Sequence, residues 1–175
     1  PKPAIASSDD SAFDYYTFGV GYHDIDQLSE AITNYTKAIE LDPAFAKAYH
    51  GRGVARAQSG DMPGALADFT QAITLDPGFA RAYLNRGRVL LQLGNAAEAV
   101  SNLTTSIELD PKETAAYIDR GDARRQQADL AGAMVDYSAA IVRDPYAADA
   151  FAGRGSARLA DGKVQEAIDD FRAQL

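Results

Sequence analysis

Few residues in this chain have the types and spacing that chemistry demands. His23 and His50 are the only imidazoles and cysteine is absent, which removes thiolate nucleophiles, disulfides and cysteine-based zinc sites. His23-Asp24-Ile25-Asp26 is the one local run of metal-ligating types. A metal centre needs several donors converging with defined geometry, whereas aspartates in a short turn ordinarily cap a helix or stay solvated. Asp169 and Asp170 are neighbours in sequence; on a helix they point about 100° apart and do not share a proton. No glycine-rich phosphate loop follows a strand-like segment. No catalytic constellation, metal or cofactor is therefore expected, and the chain reads as non-enzymatic.

Arginine supplies the more informative chemistry. Arg52, Arg120 and Arg154 each precede an aspartate (Asp68, Asp136, Asp170) by the same interval, Arg86 precedes Asn102, and Phe18 precedes Asn34. That co-occurrence predicts a recurring arginine–carboxylate contact tying one helix to the next. Arg56, Arg124 and Arg158 follow at a second fixed position. Overall the chain is acidic, with a formal net charge of −8 over 175 residues. Phosphate binding needs a basic face, so nucleic acid is not an expected partner. No apolar run reaches the roughly 18 residues of a membrane span, so none is expected to insert.

The elements that position these residues follow from one interval. Asp42-Pro43, Asp76-Pro77, Asp110-Pro111 and Asp144-Pro145 recur every 34 residues. Such a period marks a solenoid whose units cannot bury their apolar faces alone. Five repeats result, 12–45, 46–79, 80–113, 114–147 and an incomplete 148–175, behind a polar, flexible leader over 1–11. In that leader, Ala4-Ile5-Ala6 before Ser7-Ser8-Asp9-Asp10 lacks the apolar run of a secretory signal, which favours a cytoplasmic site over a periplasmic or secreted one.

Within each repeat an aromatic stands fourth (Tyr15, Tyr49, Tyr83, Tyr117, Phe151) and glycine eighth (Gly19, Gly53, Gly87, Gly121, Gly155). They share a helix face, and a ring-and-hole contact is expected, with the glycine admitting another helix backbone. A second amphipathic helix carries Ala31, Tyr35 and Ala38 and their equivalents. Gly60, Gly94 and Gly162 fit a positive-φ turn between the two helices; Asp26 and Ala128 replace them in repeats one and four, where a differently shaped turn is expected. Second helices should end near Leu41, Leu75, Leu109 and Arg143. Proline then fits just inside the next helix, capped by the preceding aspartate.

These residues together resemble the tetratricopeptide repeat (TPR) family. Tyr15, Phe18, Gly19, Tyr22, Ala31, Tyr35, Ala38 and Pro43 match its pattern in the first repeat. The resemblance implies an all-α, right-handed solenoid superhelix of antiparallel helix pairs, and a scaffold that holds an extended or helical peptide segment of another protein. First helices would line its concave groove. The groove positions of the family fall here on Phe13, Tyr16 and Val20 in repeat one, and on Lys47, His50 and Val54 in repeat two. In repeat three they fall on Arg81, Leu84, Asn85 and Arg88. Polarity then turns acidic through Asp119, Asp122 and Asp149. An apolar anchor followed by an acidic stretch should therefore lie across repeats one to three, with Asn85 bonded to its backbone. The equally simple alternative is that the basic residues are solvated or paired with nearby carboxylates. One family subgroup grips a chaperone's terminal carboxylate, and no window of this chain reproduces its residues. Two other roles fit the same pattern: self-assembly through the edge bearing Phe171 and Leu175, and the targeting arm of a larger enzyme.

Overall fold

A computed structural model describes residues 11–173. Among them lie ten α-helices and no strand: α1 (Ala12–Asp24), α2 (Leu28–Leu41), α3 (Ala46–Gln58), α4 (Met62–Leu75), α5 (Ala80–Gln92), α6 (Ala96–Leu109), α7 (Thr114–Gln126), α8 (Leu130–Arg143), α9 (Ala148–Ala160) and α10 (Val164–Ala173). Odd-numbered helices are the first and even-numbered the second of each repeat, making an all-α solenoid of about five units. The helices fall into two compact bodies divided between Val89 and Leu90. In the first body α1 packs on α2, α2 on α3 and α3 on α4, and α1 also touches α3; in the second, each of α6 to α9 packs on the next helix and α7 touches α9.

Of the leader, Ser11 has a defined role and residues 1–10 lie outside the described range. Ser11 caps α1 in a reciprocal box: its hydroxyl accepts from the Asp14 amide, and Asp14 accepts from the Ser11 amide at 2.9 Å. The Ser11 hydroxyl, which also donates to the Asp14 carboxylate at 2.6 Å, and after it the Ser11 amide hold that carboxyl below its ordinary pKa.

All five intra-repeat turns close alike. Gly60, Gly94 and Gly162 have φ of 90°, 79° and 79°, and Asp26 and Ala128 adopt 58° and 60°. The expected difference in repeats one and four is therefore absent. Its cause is the common closing bond, an amide reaching the carbonyl five residues back, as in Gln27 to Tyr22 and Asp129 to Arg124, both at 2.9 Å. That bond fixes the left-handed backbone whatever residue occupies it.

The boundary turns also differ from expectation. Asp42 is the residue that ends α2, and Phe45 precedes α3 without a side-chain cap. The Asp42 carboxylate accepts from Ala44 N–H at 3.0 Å, and its carbonyl accepts from Phe45 N–H at 3.1 Å. Pro43 thus occupies the second position of a β-turn, which its fixed φ suits, and lies outside the next helix. Asp76, Asp110 and Asp144 fold their turns with equivalent side-chain bonds.

The glycine at position eight is filled by a ring from the second helix, which corrects the expected pairing with the aromatic at position four. A Cβ on Gly19 would stand 2.7 Å from the Tyr35 ring, and one on Gly51 of the next repeat would meet the same ring at 2.7 Å. Tyr35 is thus clamped between two first helices. Phe69 lies on Gly53, Tyr137 between Gly121 and Gly153, and Phe171 on Gly155. Position-four rings serve instead as platforms for the position-seven guanidinium groups: Arg52 lies 5.6 Å from the Tyr49 ring centre, and Arg120 5.8 Å from that of Tyr117.

The predicted arginine–aspartate contact is present. Arg52 donates from Nε and Nη2 to the two oxygens of Asp68 at 3.0 and 2.7 Å, and Arg56 adds a third bond at 2.8 Å. Arg120 and Arg124 hold Asp136, and Arg154 and Arg158 hold Asp170, in the same way. The first arginine also reaches the preceding repeat: Arg52 donates to Thr36, Arg86 to Thr70, Arg120 to Thr104 and Arg154 to Ser138.

Left-handed backbone costs an L-residue about 1 kcal/mol or more, and Ala128 is exposed with its φ at 60°. Ala128→Gly should accordingly raise unfolding free energy by about 0.5–1 kcal/mol, the lower bound reflecting the greater entropy of unfolded glycine. Denaturant titration checks this; a loss of stability would contradict the turn geometry.

Candidate functional site: the first-helix face of the first body

Position two, five, six and nine of α1, α3 and α5 bring the sequence-predicted residues onto the first-helix side of the first body. They differ sharply in availability. Phe13 is 66% exposed and its ring centre lies 6.3 Å from that of Tyr16. Tyr16 is half-buried, packed against Tyr35 and, at 5.0 Å, against Phe45. Val20 sits half-buried on the cluster of Ala31, Tyr35 and Ala55. Lys47 and Arg81 are exposed.

His50 is enclosed. Its ring lies 4.8 Å from Phe79 and 5.8 Å from Phe69, and the Asn85 side-chain amide donates to Nε2 at 2.9 Å. An accepting Nε2 places the neutral ring's proton on Nδ1. Burial, with the Arg81 charge as a second cause, pushes its pKa down from 6.5 to about 4, against an opposing hydrogen bond that the ring makes to the Arg81 backbone. The ring is therefore a neutral part of the floor. Val54 is half-buried on Ala65, Phe69 and Val89, and Leu84 is only 5% exposed. Leu84 thus supports the face from beneath. Arg88 is half-buried.

Sequence reasoning passed over Phe45 and Phe79. Each ends its repeat and lies against the position-five ring of the adjoining first helix, Tyr16 or His50. The signal available was their 34-residue separation, hidden because Glu113 and Ala147 take the place in later repeats. The face thus carries two ring pairs, with Lys47 and Arg81 exposed beside them.

In the second body the corresponding positions are acidic. Asp122 is engaged: its Oδ1 accepts from the Tyr137 hydroxyl at 2.8 Å and from Arg125 at 3.4 Å. Burial and the Asp122 carboxylate both push the Tyr137 hydroxyl pKa up. His23, from the one metal-like run, donates Nε2–H to Gln58 at 2.8 Å and so joins α1 to α3; Asp26 forms the left-handed turn. Among the described residues, no three His, Cys, Asp or Glu side chains converge as a metal site, and no helix is long and apolar enough to cross a membrane. Phe171 is half-buried against Gly155, and Leu175 lies outside the described residues.

Repeated helix pairs with an aromatic and basic first-helix face define a repeat scaffold. Three family models match in succession: a TPR repeat over 21–60, a tetratricopeptide repeat over 56–119 and another over 118–175. The chain belongs to the tetratricopeptide repeat family and is a protein-interaction repeat scaffold. Among curated protein sequences, none matches it. Among solved structures it is similar to YrrB, described as a TPR protein with an unusual peptide-binding site, at 24% identity and a TM-score of 0.80, covering 95% of this chain and 86% of that one. It is also similar to MamA from Desulfovibrio magneticus RS-1, at 20% identity and a TM-score of 0.86, covering 95% and 94%. A third similar structure is the APC/C hetero-tetramer Cut9–Hcn1, at 25% identity and a TM-score of 0.80, covering 94% of this chain and 33% of that one.

The His50 environment has a pH consequence. The folded state keeps the ring neutral down to about pH 4, whereas the unfolded chain protonates near 6.5. The stability contributed is complete above pH 6.5 and lost as pH falls toward 4, in total roughly 3 kcal/mol. His50→Gln should therefore lose less stability than the parent between pH 7 and 4.5 in denaturant titrations. Equal losses would contradict a buried neutral His50.

Proposed function

We propose that the first-helix face of the first body binds a peptide segment of another protein, with an apolar anchor on the aromatic pairs and an acidic stretch beside Lys47 and Arg81. The observation that carries this reading is the exposure of those two cations next to Tyr16/Phe45 and His50/Phe79, in a chain whose net charge is −8. A local basic patch on an acidic molecule attracts anionic segments and disfavours others. Exposed Phe13 offers further apolar area at one end. Asn85 spends an amide hydrogen on His50; its Oδ1 accepts from the partner's backbone N–H. The peptide-binding description of YrrB agrees with this use of a related fold. The face acts by preorganisation: its rings are already packed, so little side-chain freedom is lost on binding. No chemical step is assigned to it.

The test uses fluorescent peptides with one Phe or Leu anchor followed by four or so acidic residues, and a control with lysines in their place. Exposed surface substitutions spare the core, so Lys47→Glu/Arg81→Glu should keep its helical circular dichroism. It should weaken the acidic peptide by about tenfold or more, as loss of two charge contacts worth about 1 kcal/mol each predicts. Affinity of the parent should fall with salt. Equal binding by parent and variant, or preference for the basic control, would contradict the proposal.

A further inference from the structure

Position five of the second repeat and position six of the third hold His50 and Asn85, joined at 2.9 Å. At the same two positions Tyr16 is followed by Gly51 and Ile118 by Gly153, where the second residue has no side chain to orient. Asn85 does have one, and its amide can face either way.

The choice is made on the far side of the imidazole. The contact between the ring and the Arg81 backbone favours the protonated ring, which requires a ring N–H donating to the carbonyl, since an accepting nitrogen would favour the neutral form. Asn85 occupies Nε2, so the donor is Nδ1. A neutral imidazole carries a single N–H, and enclosure by Phe69 and Phe79 keeps this ring neutral. With its hydrogen spent on Arg81, the bare Nε2 can only accept. Asn85 must turn its NH2 group inward, and Oδ1 is what it offers a partner.

We propose that His50 is a positioning residue of the peptide face: it holds Asn85 as an acceptor, so the face takes a partner segment that is extended at this point and not a helix. The inference rests on the reading of that face as a peptide site. Within a helix every backbone N–H beyond the first turn is already bonded, and proline has none; an extended residue of any other type presents one. A segment without that hydrogen leaves the Asn85 oxygen unpaired under the bound chain, which costs affinity. An amide free to turn would accept from one partner and donate to another. The fixed amide removes that tolerance.

The probes are the anchor-and-acid peptides that test the face, each with one backbone amide exchanged for an ester, which removes a single N–H and keeps the length of the chain. On the parent, one ester should bind about fivefold more weakly than the rest, the factor of one net hydrogen bond. His50→Leu still fills the space against Phe79 and should keep its helical circular dichroism, yet it gives Asn85 no acceptor. The amide can then turn, and the sensitive ester should come within about twofold of the others. A purely structural role for His50 would weaken every peptide alike and leave that ratio unchanged. In the free protein at neutral pH, nitrogen NMR shifts of His50 should show Nδ1 protonated and Nε2 bare. The opposite tautomer, a parent that binds with no sensitive amide, or an unchanged ratio in His50→Leu would each overturn the inference and leave the peptide reading standing. Failure of the parent to bind any of the peptides would remove both.

Discussion

The buried carboxylate of Asp68, with its counterparts Asp136 and Asp170, is the constraint on which the rest of this structure depends. Their side chains are at most 4% exposed, and each lies against two guanidinium groups of the first helix. A carboxylate this deep is tolerable only when its lone pairs are filled, and among the described residues no buried side-chain polar atom lacks a partner. The planar fork of Arg52 meets both oxygens at once, which a lysine could not do. Its remaining nitrogen donates to Thr36 of the preceding repeat. One side chain therefore fixes the register of a repeat's two helices and the seating of that repeat on its neighbour.

The clamped rings complete this geometry. Tyr35 fills the space left by Gly19 and Gly51, so two successive first helices approach one ring from either side. Packing that close leaves few alternative rotamers. The outward positions of α1 and α3 are consequently held at a fixed spacing, and the pairs Tyr16/Phe45 and His50/Phe79 repeat along one face. Polar cross-links between first helices, His23 with Gln58 and His50 with Asn85, add to that order. A partner meets a surface already arranged, with Lys47 and Arg81 at its margin.

Much of this was legible in the sequence because it is periodic. The 34-residue interval gives the helix pairs, their ends at Leu41, Leu75, Leu109 and Arg143, and the arginine–aspartate contact. What escaped was spatial rather than periodic. Glycine at position eight and the ring at position twenty-four are far apart in sequence, and nothing local tells which ring fills the hole. Asp-Pro is compatible both with a helix start and with a β-turn; the Asp42 side-chain bond to Ala44 decides it. Asp26 and Ala128 adopt the glycine-like turn because the closing hydrogen bond overrides local preference. Among the site residues, Leu84 occupies a position that faces a groove by register yet lies in the core, since burial depends on how closely neighbouring helices sit.

The most direct test of this account is the unfolding free energy of Asp68→Ala beside that of Asp68→Ala/Arg52→Met, measured in denaturant at neutral pH. Removing the carboxylate alone leaves two guanidinium groups facing each other in a largely dry site, and a loss of about 3 kcal/mol is predicted. Removing Arg52 with it should recover part of that loss. A single-variant loss below about 1 kcal/mol, the range of an exposed ion pair, would contradict the role given to the buried carboxylate.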